Sequence, residues 1–146
     1  MDMFEELVMW HITHNGRVFV CPQFSIDGGS SCPDFIALDL KNKVVSVVEV
    51  TAAYWPGGLF NKVKQRQQQW MLPLKEQLLR AGIINDSWEK FRVVLYIRRA
   101  AFEKFRGEFE SEKDVEIVKL EDIAFPWNWE WASTKLKKEV EETSEA

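Results

Sequence analysis

The stretch VVSVVEVTA, residues 44–52, most restricts what this chain can fold into; five of its nine residues are valine. A strand with one wet face alternates apolar and polar residues, whereas a strand covered on both faces reads as a near-continuous β-branched run. The run therefore predicts an inner strand of a sheet with helices on both sides. DFIALDL (34–40) is a second strand, and Lys41-Asn42-Lys43 is a tight turn between the two. Together they read as an antiparallel hairpin. Glu49 is the misfit, because a carboxylate inside a buried run is costly unless a cation, a metal or hydrogen bonds offset the cost.

Residues 2–13 read as a short helix with Asp2 as its N-cap and Phe4, Leu7 and Val8 on one face. RVFVCPQF (17–24) is β-rich, and Pro22 places it at a sheet edge or ends it. Pro56-Gly57-Gly58 breaks the chain before a long helix over 59–81 that stops at Gly82. Its apolar series is Phe60, Val63, Trp70, Leu74 and Leu78. Gln67 falls in that series and should look toward the sheet. Pro73 should kink the helix or split it. A strand over 91–99, a helix over 100–109 and a last strand over 115–125 follow.

The first three strands can form an antiparallel meander. The helix at 59–81 then crosses over, so the strand at 91–99 joins the middle of a mixed sheet. The class is α/β, in one domain over 1–146, with a core of about 2–99 and a C-terminal extension and polar tail over 100–146.

No run of about twenty apolar residues could span a membrane, and MDMFEELVMW is acidic where a secretory leader is basic. A cytoplasmic protein is expected, with Cys21 and Cys32 as free thiols. The net charge of −4 argues against a broad, non-specific nucleic-acid surface. It averages over an acidic tail, however, while cations gather in KVKQR (62–66) and at Arg98 and Arg99. Gly28-Gly29 lacks the G-K-[ST] of a phosphate loop. Trp127, Trp129 and Trp131 alternate, as in a core-closing or subunit-contact stripe, or one that stacks on unpaired bases.

A hairpin turning at 41–43 places Asp34 opposite residue 50 or so, next to Glu49. Two carboxylates converging there make a hard-oxygen site suited to Mg²⁺ or Mn²⁺, with the Val50 carbonyl as a further ligand. The plainer alternatives are a turn-forming Asp after Pro33 and a cross-strand ion pair at Glu49.

Pro33-Asp34, a hairpin and then Glu49-Val50-Thr51 resemble the motif of the PD-(D/E)XK, or restriction-endonuclease-like, nuclease superfamily. The order of elements is similar to its αβββαβ core, a central mixed sheet flanked by helices. The resemblance implies a divalent-metal-dependent nuclease, with Asp34 and Glu49 as metal ligands. It implies nucleic acid as partner, DNA before RNA, and a homodimer as the assembly that lets two sites reach two strands. Glu6, or Glu5, matches the acidic residue that some members carry on the first helix. Thr51 departs from the pattern, since the family's Lys should stand there. Two expectations follow. Either a residue of the next helix, Lys62, Lys64 or Gln67, takes over the basic role, with Lys62, Lys64 and Arg66 also contacting phosphates, or the chain is an inactive module that only binds nucleic acid or protein.

Overall fold

The computed structural model describes residues 1–14, 16–27 and 32–123. The Gly-rich stretch at 28–31 and the tail from 124, with its three alternating tryptophans, lie outside the described residues. Helix α1 (Met3–Thr13) leads into strands β1 (Val18–Pro22), β2 (Phe35–Asp39) and β3 (Val44–Val50). Helix α2 (Gly57–Lys64), a π-helical turn (Gln67–Met71) and helix α3 (Leu72–Arg80) form one broken crossover. Strand β4 (Lys90–Ile97), helix α4 (Arg99–Phe109) and strand β5 (Val115–Lys119) complete the fold.

The five strands lie in the order β1-β2-β3-β4-β5. The first three form an antiparallel meander, and β4 and β5 add in parallel. Pro22 closes the edge strand β1, where its missing N–H costs no ladder bond. The α/β class, with helices on both faces of a mixed sheet, is as the sequence predicts.

Alternation along β3 separates two cores. Val45 and Val47 face a large core made with Val63, Trp70, Leu74 and Leu78 of the crossover and Phe105 and Phe109 of α4. Val48 faces a smaller core with Val8 of α1 and Leu120. The continuous valine run is thus explained by burial on both sides.

Local chemistry sets the ends of the elements. Asp2 and Glu5 form a reciprocal capping box that starts α1. Gly82, at φ +72°, ends α3 in a Schellman turn, with Ile83 N–H donating to the Leu78 carbonyl at 3.0 Å.

Three boundaries differ from expectation. Gly57 and Gly58 begin α2 instead of breaking the chain before it. The Trp55 indole lies so close that a Cβ on Gly57 would stand 3.1 Å from it. Strand β5 stops at Lys119, and residues 120–123 turn helical. The crossover helix is broken upstream of Pro73: Leu72 N–H reaches back to the Gln67 carbonyl in an i→i+5 bond. Pro73 then sits in the first turn of α3, where no N–H is required.

Candidate functional site

The candidate site lies at the C-terminal ends of β3 and β4, where crevices of sheets with parallel strands commonly bind ligands. Strand β2 starts at the same end because it runs antiparallel. Phe35 pairs with Val48, one residue tighter than the turn at 41–43 suggests. Continuing that register sets Asp34 across from Glu49 itself. The loop is tightened by Asp39, whose Oδ1 accepts from Lys41 and Asn42 N–H at 3.1 and 3.0 Å. Lys43 takes the left-handed conformation, φ 55°, that closes it.

Asp34 is fixed by the next strand. Its Oδ2 accepts the Val50 N–H at 2.7 Å, a charge-assisted bond that aims the carboxylate along the end of β3. Glu49 projects to the same side of the sheet as Val45 and Val47, into the large core's rim. Burial pushes its carboxyl up to about 9, and the negative charge of Asp34 and a hydrogen bond with it add to the rise. Lys62 of α2 is the cation that opposes this rise. Among the described residues no Lys or Arg reaches Glu49 at ion-pair distance. The cross-strand ion pair is therefore not what holds Glu49, and Asp34 is engaged by the strand rather than by its own turn.

A third carboxylate stands nearby. Glu5 is raised by burial and by its hydrogen bond to and charge repulsion from Asp34. Of the two acidic candidates on α1, Glu5 faces Asp34. Glu6 lies instead on an exposed groove with Met3, Leu7 and Trp10. The Cys32 thiol is also close: burial and then the charges of Glu49 and Asp34 push it up. Neither Cys32 nor Cys21 is in a disulfide. Among the described residues no three His, Cys, Asp or Glu side chains stand in a ready-made metal cage. The pair Asp34 and Glu49 is still the kind of donor set a hard divalent cation takes with substrate and water oxygens completing its shell: two acceptor oxygens side by side with a deficit of positive charge.

The remaining candidates separate by position. Thr51 continues the ladder, its N–H donating to the Tyr96 carbonyl at 3.0 Å. Its hydroxyl oxygen accepts from Ala53 N–H at 3.2 Å, which commits it to the loop. Lys64 turns to α4, with Nζ 3.5 Å from Glu108 and 5.0 Å from the centre of the Phe60 ring. Arg66 forks onto Asp114 and is only 12% exposed. Gln67 does not look toward the sheet. It is exposed, on a surface hollow with Lys75, Glu89 and Phe91. The reason is the π-turn, which adds a residue to the helix and buries Trp70 and Met71 together instead.

His11 belongs to another place. Its Nδ1 lies 3.1 Å from the Tyr96 hydroxyl, beside a cavity of about 240 Å³ on the opposite face of the sheet from Glu49. There Arg92 donates to Ser46 at 2.9 Å and to Glu116 at 3.1 Å. The polar groups of that cavity satisfy one another.

No family model matches the chain, and no curated protein or solved structure matches it either. What can be stated of its class is the fold itself: an α/β domain built on a five-stranded mixed sheet, with a carboxylate pair at the C-terminal ends of the inner strands. No helix among the described residues is long and apolar enough to cross a membrane.

Proposed function

We propose that the protein is a divalent-metal-dependent nuclease that hydrolyses phosphodiester bonds, in DNA before RNA. The observation that carries this reading is the convergence of Asp34 and Glu49 from adjacent strands, half-buried and without a paired cation among the described residues, at the C-terminal end of β3. Burial and the neighbouring Asp34 keep Glu49 protonated, with a hydrogen bond between the two carboxyl groups, and a hard divalent cation can take that proton's place. Mg²⁺ or Mn²⁺ bound there supplies Lewis acidity toward a phosphate oxygen and toward water.

The chain's own residues do the rest. Asp34, locked by Val50 N–H, fixes one edge of the site. Glu49 holds the other and carries a proton at neutral pH until a cation displaces it. Lys62 replaces the basic residue that Thr51 cannot supply. It is the cation of α2 that already acts on Glu49, and its ammonium can hold a phosphate or orient water there. Glu5 adds outer negative charge through Asp34. Lys64, Arg66 and Gln67 are engaged elsewhere or face away from the pair, so the basic role falls on Lys62.

Mn²⁺ titration by calorimetry tests this reading, on the wild type and on Asp34→Asn/Glu49→Gln. Binding that vanishes in the double variant supports the metal site, and Asp34-dependent cleavage of DNA supports the activity. Metal-independent binding of nucleic acid, with no cleavage by any form, would make the chain the inactive module that Thr51 also suits.

A further inference from the structure

Two aromatic rings stand exposed in the loop that joins β3 to α2, at the end of the sheet that carries the carboxylate pair. Tyr54 is 75% exposed and Trp55 47%. Tyr54 belongs to neither core, so the fold gives no reason for a large ring there. Each ring has a cation over it. The Arg98 guanidinium lies 5.7 Å from the Tyr54 centroid, and the Lys104 ammonium lies 4.3 Å from that of Trp55. Arg98 immediately follows β4, so it shares the end of the sheet that carries Asp34 and Glu49.

The loop is held rather than loose. Thr51 bonds to Tyr96 on one side and to Ala53 on the other. Trp55 rests one side on Phe60 and Phe105, at centroid distances of 5.8 and 6.1 Å. Arg98 is steadied by Glu121 at 3.5 Å, while Lys104 pairs with no carboxylate among the described residues.

We propose that the exposed Tyr54 ring, on a loop anchored by Trp55 and flanked by Arg98 and Lys104, is a stacking platform for an unpaired base, so that the substrate at Asp34 and Glu49 is a single-stranded stretch of nucleic acid. The proposal rests on the nuclease reading only for what happens to the strand once bound. Exposed aromatic faces accept any unpaired base, and neighbouring cations take the phosphates between bases. In a duplex those base faces are already stacked. The net charge of −4 also leaves no broad basic surface to track two strands.

The test is fluorescence anisotropy with a labelled oligothymidylate and a duplex of equal length, in chelator so that nothing is cut. The wild type should bind the single strand more tightly than the duplex. Tyr54→Ala should weaken single-strand binding roughly tenfold, the loss of about one stacked base, while Tyr54→Phe retains it. Lys104→Ala should flatten the salt dependence by about 0.7 in log–log slope. Unchanged thermal unfolding confirms that these surface variants are folded. Equal or tighter duplex binding, no binding to either, or a Tyr54→Ala affinity within about twofold of wild type overturns the platform.

The two readings fail separately. Single-strand binding that needs Tyr54, with no cleavage by the wild type, leaves the platform standing and removes the nuclease. Asp34-dependent cleavage that Tyr54→Ala leaves intact, together with unchanged binding, does the reverse.

Discussion

Arg66–Asp114 and Asp34–Glu49 are both partly buried groups of charged side chains, and they are arranged in opposite ways. Arg66 places two N–H groups on Asp114, at 2.6 and 2.8 Å, and a third on the Val63 carbonyl at 3.0 Å. The hydrogen bond from Arg66 holds the Asp114 carboxyl below its usual range. Asp114 in turn receives Val93 N–H on its backbone carbonyl at 2.8 Å. This pair, with Glu112 also 3.4 Å from the guanidinium, ties the turn after α2 to the start of β5. At the other end of the sheet burial, and then the charge of Asp34 and a hydrogen bond with it, drives Glu49 the other way, with Lys62 opposing the rise. Opposite charges joined in good geometry are structure, whereas a buried carboxyl raised beside a second one is a position whose charge balance a bound cation would change.

That contrast can be broken at either end. The largest effect should come from Asp34→Asn or Glu49→Gln, each removing several kcal/mol of charge stabilisation, roughly 10³-fold in metal-dependent cleavage rate. Both variants should stay folded, and single-turnover assays on labelled DNA would show the loss. Lys62→Met should also slow cleavage, by less, while Lys64→Met leaves it near wild type. Equal effects of the two would remove the distinction drawn between them.

Arg66→Met should reverse this pattern. It strands the Asp114 carboxylate and should cost about 2–4 kcal/mol of stability, since both partners are only partly shielded from water. Urea unfolding measures it. Metal affinity in the folded protein should be unchanged.

The pH dependence of stability, read as a change per pH unit, is smaller. Burial, with Asp34 beside it, raises the Glu49 carboxyl from the ordinary glutamate value of 4.5 to about 9 on folding. Between those values the folded state holds a proton that the unfolded state has released, so stability falls as pH rises across that window. The slope in chelator should approach about 1.4 kcal/mol per pH unit, and Glu49→Gln should flatten it. Added Mn²⁺ should flatten it too, by holding the ionised form. A wild-type slope equal to that of Glu49→Gln would show that Glu49 is not buried against Asp34.

Lys64→Ala should be the smallest change. Its ion pair with Glu108 is about half exposed on both sides, and such pairs contribute on the order of 0.5 kcal/mol or less.

One side of this contrast was legible in the residues, while Arg66, expected to contact phosphates, is instead held by Asp114. The valine run gives a strand covered on both faces, and Pro33-Asp34 with Glu49 marks a pair whose spacing matches a hairpin. Pattern alone could not choose between Glu5 and Glu6, because both lie in the first turns of α1 and only packing shows which meets Asp34. Nor could it separate Lys62 from Lys64. They are two residues apart on a helix, so they point to different sides, and the direction of each depends on how α2 is rotated against the sheet. Gln67 was misplaced for a related reason. Extrapolating a 3.6-residue period through 64–71 ignores the added residue of a π-turn, which has no sharp sequence mark beyond Pro73 downstream. Nothing in the local pattern marks Tyr54 and Trp55, whose exposure follows only from how the loop packs.

The sequence by itself determined the α/β class, the hairpin that brings Asp34 to Glu49, and the edge position of β1, because these follow from alternation, turn chemistry and proline, which act locally. Tertiary structure alone decided that burial would raise the Glu49 carboxyl, that Arg66 would pair with Asp114, and that Lys62 would be the cation acting on Glu49. Those outcomes depend on burial and on charges brought together from distant parts of the chain, and no local rule contains them.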